Sequence, residues 1–148
     1  MRLMGYVFAV ALFGYSVASA QTVDVPAEMK KLEQKWILAH SHYTPSKATA
    51  DVAKILASLG RRVEIKDGRL SAFDSERNDN YLLVNFDPTA NPKTVDLRVP
   101  SRKDQVLLGI YRLDDDVLSL AVATRHSRPE SFRAPEDQIV LILKRARK

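Results

Sequence analysis

The sequence predicts a mainly β protein, an eight-stranded antiparallel up-and-down barrel with a short N-terminal helix and one helix between strands 1 and 2. Eight segments are rich in β-branched and aromatic residues, short turn signals join most of them, and one long segment has a clear helical period. A run of antiparallel strands must pair or protect its edges, and closure into a barrel removes them. A two-sheet sandwich is the alternative.

The first twenty residues have the three-part layout of a secretory signal peptide. Arg2 precedes an apolar run over 3–17, and Ala18–Ala20 reads Ala-Ser-Ala, a small-residue cleavage triplet. We therefore expect cleavage after Ala20, a secreted or periplasmic location, and one mature domain over 21–148 without an integral membrane span. An uncleaved membrane anchor is the alternative, because no charge follows the apolar run until Asp24.

Composition narrows the possible chemistry. The chain has no cysteine, so disulfides and thiolate chemistry are excluded. Cleavage would remove 20 of the 148 residues and leave 128, enough for one domain with its own core. Those residues carry 22 basic against 18 acidic side chains, with the densest basic run at 144–148. Nucleic-acid binding needs a denser patch with interleaved aromatic residues, so we expect no nucleic-acid partner. We also expect a monomer.

The N-terminal elements follow from local signals. Pro26–Leu32 begins with proline, has an acidic first turn and a basic last turn, and predicts a short helix. The stretch WILAHSHY, 36–43, predicts the first strand. Ala50–Leu59 predicts an amphipathic helix that ends before Gly60. The apolar stripe of this helix consists of Val52, Ile55, Leu56 and Leu59.

The remaining chain has strand-like periodicity. Segments 61–66 and 69–73 flank Asp67-Gly68, the strongest short signal for a hairpin. Five further strands, separated by polar turns, are predicted at 81–86, 93–99, 105–113, 117–123 and 138–145. With the strand at 36–43 they complete a set of eight.

Several stretches across nearly the whole mature chain carry a family resemblance. They are Lys31-Leu32-Glu33 with Trp36, DPTANPKTVDL (87–97), LLGIYRLDDDVLSLA (107–121), Arg128-Pro129 with Phe132, and LILKR (141–145). In this order they resemble an uncharacterised lipocalin-like secreted domain family common in planctomycete bacteria. The resemblance implies a small lipocalin-like barrel, and it implies no particular activity or ligand. Gln34 and Asp115 stand where that family usually has glycine, and 43–80 departs from its pattern.

Trp36 is predicted to pack at the closed end of the barrel. In barrels of the resembling kind, a tryptophan at the start of the first strand lies under a basic residue of the last strand. If strands 1 and 8 are antiparallel neighbours, either Lys144 or Arg145 meets the Trp36 ring in a cation–π contact. We expect this contact to be structural.

His40 and His42 raise the question of a metal site. Side chains alternate along a strand, so both share the inward face with Trp36 and Leu38 if no bulge intervenes. A metal-binding protein or a metal-dependent enzyme built on them is one hypothesis. Zinc usually takes three or four ligands, however, and the third histidine of the chain, His126, falls in a loop. We therefore expect no metal and no cofactor, and we place both histidines at a pocket rim or on the plain barrel wall.

Other candidate chemistry finds less support. The acids at 114–116 lack the alternating ligands and glycine bend of a calcium loop, and they fit a solvated turn. Ser127 adjoins His126, but sequence neighbours rarely form a nucleophile and base, and no G-x-S-x-G elbow is present. We therefore expect no catalytic residues.

The expected function is non-catalytic binding of a small apolar or amphipathic molecule or of a cell-envelope component. The predicted site lies at the barrel mouth, where the connection after the first strand begins. The helix within that connection needs a surface on which to bury its apolar stripe. The helix is either a movable lid over a pocket or a permanent plug. The predicted site residues are His40, His42, Val52, Ile55, Leu56 and Leu59.

Overall fold

The computed structural model describes residues 22–73, 81–102, 105–124, 127–135 and 137–147, with the backbone alone for Ala48. They form a closed barrel of eight antiparallel strands and two helices, which confirms the predicted fold class. Each strand pairs with the next in sequence, and the last pairs back with the first. The elements are α1 (Val25–Leu32), β1 (Lys35–Tyr43), α2 (Lys47–Ser58), β2 (Arg62–Lys66), β3 (Arg69–Ala72), β4 (Tyr81–Asp87), β5 (Thr94–Arg98), β6 (Val106–Asp114), β7 (Val117–Ala123) and β8 (Gln138–Arg145).

The helix α1 is fastened to the closed end of the barrel. Its fully buried Leu32 joins the core, and its Glu28 carboxylate accepts hydrogen bonds from Lys93 Nζ and from Tyr111 Oη, the latter at 3.1 Å. The Tyr111 ring also stands edge-on against Phe86, with 5.0 Å between ring centroids. Burial, reinforced by the negative charge of Glu28, raises the pKa of the Tyr111 phenol.

A capping box sets the start of α2. The Ser46 side chain accepts a hydrogen bond from the Thr49 amide, and the Ser46 amide donates to the Thr49 hydroxyl. The helix therefore begins at Lys47, three residues before its predicted start. The predicted start followed the apolar stripe, which does not reach this first turn. Neither described helix has the length and apolar character that a membrane crossing requires.

The β2–β3 hairpin and the acidic β6–β7 turn both form where they were predicted. Asp67 and Gly68 have φ of 50° and 70°, as the type I′ hairpin turn requires, and glycine adopts this conformation without strain. In the second turn, Asp116 Oδ1 lies 3.1 Å from Arg145 Nε of the neighbouring last strand. Both acidic turns are thus parts of the barrel framework.

Candidate functional site

The wall of the barrel is incomplete beside the second half of β1. β1 pairs with β8 at seven positions that reach Tyr43, whereas it pairs with β2 only from Lys35 to Ile37. One further bond joins the Leu38 amide to the Arg61 carbonyl, at 2.7 Å. Between Tyr43 and Arg61 the chain forms α2 and its flanking turns. The edge of β1 beyond Leu38 therefore faces the region of α2.

An apolar cavity of about 130 Å³ lies between this edge, α2 and the barrel interior. Fourteen residues from both helical and strand elements line it. They are Leu38, Ser41, Tyr43, Ala53, Leu56, Ala57, Leu59, Gly60, Val63, Leu70, Leu120, Ile139, Leu141 and Leu143. An apolar cavity of about 150 Å³ in another protein holds benzene, whereas sites for drug-sized ligands measure about 300–1,000 Å³. This cavity therefore has room for one ring or a short length of alkyl chain.

The cavity runs from the surface to the core. Its outer residues include Ser41, Ala57 and Gly60, which are exposed, and Tyr43, which is 37% exposed. Leu120 and Ile139, which also line the cavity, are each 1% exposed. Ser41 and Tyr43 thus belong to the exposed part of the lining, and aliphatic side chains form its buried part.

A β-bulge moves His40 and His42 away from this cavity. The pairing with β8 shifts by one residue between Leu38 and His40, so that His40 lies opposite Ile142 and His42 opposite Val140. Val140 and Ile142 belong to a small apolar cluster on the outer surface, and both histidines are exposed. The premise that no bulge intervenes is therefore corrected, because the extra residue reverses the alternation.

The residues that replace the histidines in the cavity are Ser41 and Tyr43. They lie opposite Leu141 and Ile139, which line the same cavity. Reasoning from the sequence missed them because it counted faces outward from Trp36 without a bulge. No pattern within β1 shows where the register shifts, because the shift appears only in the pairing of β1 with β8.

The four stripe residues of α2 do not share one surface. Leu56 and Leu59 line the apolar cavity, and Val52 is 2% exposed within the main core. Ile55 lines a separate groove of about 160 Å³ toward β4 and the end of β5, together with Leu82 and Val99. The stripe is about 100° wide, so its edges reach different parts of the barrel mouth.

The structure brings Trp36 and Arg145 together, the latter being one of the two alternatives on the last strand. The Arg145 guanidinium carbon lies 5.7 Å from the Trp36 ring centroid. The indole Nε1 donates to the Leu32 carbonyl at 3.0 Å, so the buried ring has no unsatisfied donor. This contact lies at the end of β1 opposite the cavity mouth.

Within the described residues, no group of three or more histidine or acidic side chains is arranged to hold a metal ion. His126 lies outside those residues, as does the predicted signal peptide. Comparison of the chain with protein-family models, curated proteins and solved structures finds no match. The lipocalin-like family resemblance therefore remains a prediction, and the functional argument depends on the site itself.

Proposed function

We propose that this protein is a non-catalytic binding barrel that takes a small apolar molecule, or the apolar end of an amphipathic one, into the cavity under α2. The observation that carries the proposal is the lining of that cavity, in which barrel and helix both contribute aliphatic side chains while one end reaches the surface. Apolar surface that enters such a site is removed from water without loss of hydrogen bonds.

The outer end of the cavity fits an amphipathic ligand. Ser41 and Tyr43, whose side chains carry hydroxyl groups, belong to the exposed part of the lining, from which the polar end of a bound molecule would emerge. The inner aliphatic part then takes the hydrocarbon portion. Each methylene that becomes buried contributes about 0.8 kcal/mol, equivalent to about a fourfold gain in affinity. This proposal is consistent with a secreted or periplasmic protein that meets such molecules in the cell envelope.

A homologous series of straight-chain alcohols tests the proposal. This series varies only the buried length of the ligand. Binding is followed by NMR shifts of the leucine and isoleucine methyl groups. Affinity should rise with each added methylene until the chain fills the cavity and then stay constant. The shifts should centre on Leu56, Leu141 and Leu143, which line the cavity.

A matched pair of variants supplies the control. Ala57→Trp places an indole at an exposed position of the cavity lining and should abolish binding. Ala50→Trp makes the same change at an exposed position of α2 outside the lining and should leave binding unchanged. If no alcohol shifts the lining methyl groups, or if Ala57→Trp binds as the unaltered protein does, the cavity is not a binding site.

A further inference from the structure

One row of side chains on the outer wall alternates cationic and aliphatic residues. Arg69 lies opposite Leu83, Leu83 opposite Arg98, and Arg98 opposite Val106. Residues directly opposite each other in antiparallel strands project from the same face. The arginine–aliphatic row, Arg69–Leu83–Arg98–Val106, therefore crosses β3 to β6, and three strand spacings of about 4.8 Å make it about 14 Å long.

The aliphatic members of the row are among the most exposed large apolar side chains in the described part of the chain. Leu83 is 40% exposed and Val106 is 38% exposed. Both arginines are exposed, and the Arg69 guanidinium is held over the Tyr81 ring at 4.7 Å. Both side chains project away from the barrel core and keep more than a third of their surface in contact with solvent.

Among the described residues, the side chains in and around the row carry a net positive charge. Lys66 lies opposite Arg69 on β2 and adds a third exposed cation. The salt bridges within the described residues involve other side chains, so neither arginine of the row is neutralised by a described carboxylate. Among the described residues, the nearest acids on the same hairpin are Glu64 and Asp67, against the three cations Lys66, Arg69 and Arg98.

Elsewhere the chain covers its own outer apolar residues. Ile110, Ala121 and Val140 project outward and are buried with Ala134 of the 127–135 loop. Arg128 fastens that loop, since its Nη1 lies 2.8 Å from Asp96 Oδ1 and donates to the Gly109 carbonyl at 2.7 Å. None of the described segments covers Leu83 and Val106 in this way. Within the described residues, the protein therefore buries one outer apolar surface and leaves Leu83 and Val106 of the row exposed.

We propose that the arginine–aliphatic row is a contact surface for a lipid bilayer rich in anionic phospholipids. Planar guanidinium groups form paired hydrogen bonds to phosphate oxygens, and the alternating aliphatic side chains reach the boundary between headgroups and acyl chains. Charge complementarity selects this partner over a neutral bilayer. The proposal is independent of ligand binding in the cavity, because the row and the cavity share no residue.

Such a surface binds weakly, reversibly and in a salt-dependent manner. Three exposed cations interact with the surface potential only within the screening length, which is about 8 Å at physiological ionic strength. Two aliphatic side chains bury too little area to hold the protein at a neutral bilayer. Binding should therefore fall steeply as salt rises, and it should require anionic lipid.

Sedimentation with lipid vesicles tests the proposal on the protein as recovered from cells. Vesicles of phosphatidylcholine alone are compared with equal mixtures of phosphatidylcholine and phosphatidylglycerol. The protein should sediment with the mixed vesicles only. Reversal of both row charges, Arg69→Glu with Arg98→Glu, should lower the bound fraction at least about tenfold. The pair Leu83→Ser with Val106→Ser should lower it a few-fold and leave its salt dependence in place.

A matched charge reversal elsewhere shows whether position matters. Lys47→Glu with Lys54→Glu changes two exposed cations of α2 and should leave vesicle binding within about twofold, because these residues lie outside the row. Equal losses in the α2 and row variants would overturn the proposal in favour of general basic character. Binding to both vesicle types alike would overturn it too. Retention on immobilised heparin that needs the row, without vesicle binding, would point to an acidic macromolecule instead.

Discussion

Trp36 and Arg145 are direct cross-strand partners, and the guanidinium of Arg145 lies over the indole ring at 5.7 Å. This pair joins the first strand to the last, so it stands where the barrel closes. The ring of Trp36 is 1% exposed, whereas the Arg145 side chain is about one-third exposed. Burial of the Trp36 ring therefore contributes most of the stabilisation from this pair.

Truncation of the buried ring should be far more costly than truncation of the cation. We expect Trp36→Ala to lower the free energy of unfolding by about 3–5 kcal/mol through lost transfer energy and a residual cavity. Arg145→Ala should lower it by about 1 kcal/mol. Urea denaturation of both single variants and of the double variant gives their coupling energy. Coupling of Trp36 to exposed Lys144, with none to Arg145, would contradict the contact.

The stability of the closed end should fall in alkaline solution. The folded pKa of Tyr111 is raised above its ordinary value of 10.0, first by burial and then by Glu28. The neutral phenol is thus favoured in the folded state. The stabilisation that comes from the raised pKa is fully present below about pH 10. It is lost progressively as the pH rises toward the folded pKa of Tyr111. Denaturation at pH 9 to 11 should show a steeper decline in the unaltered protein than in Tyr111→Phe, and equal slopes would contradict the assignment.

The exposed histidine pair should bind zinc no more tightly than micromolar. His40 and His42 share the outer face of β1, but their cross-strand neighbours Ile142 and Val140 offer no ligand atoms. Two imidazoles leave two of the four zinc coordination positions to water. Calorimetric titration with zinc measures this affinity. A sub-micromolar site that His40→Ala abolishes would instead support the hypothesis of a metal-binding protein.

Amide exchange on α2 distinguishes a lid from a plug. If α2 is a lid, its amides should exchange at a much lower free energy than those of β7 and β8, which pair on both sides. Leu56→Ala should also increase the uptake of an apolar fluorescent probe, because it removes a side chain from the cavity lining. Exchange of α2 only through global unfolding, with no probe uptake, would identify a permanent plug.

The N-terminus of the exported protein should be Gln21. This expectation depends on the Ala-Ser-Ala triplet at 18–20 and on the preceding apolar run. Intact-mass measurement of protein recovered outside the cytoplasm checks it, with allowance for cyclisation of Gln21. A mature form that retains residues 3–17 would instead support the membrane anchor.

The sequence by itself determined the elements and the way they connect. Period-two patterns with Asp67-Gly68 and the acidic 114–116 turn place the strands, because side-chain alternation and turn chemistry are local properties. The antiparallel direction of neighbouring strands follows from the shortness of the turns, and the need to pair both edges favoured closure over a two-sheet sandwich. The family resemblance, together with the expected pairing of the first and last strands, placed Trp36 at the closed end.

The tertiary structure decided which side chains reach the cavity. The bulge between Leu38 and His40 depends on how β1 registers against β8, and no local pattern in β1 specifies it. One extra residue sends His40 and His42 outward and brings Ser41 and Tyr43 inward. The cavity lies between α2, which packs against β8, and the half of β1 that β2 does not reach. Such a cavity forms by packing between segments that are distant in sequence. The periodicity within one segment therefore cannot predict it.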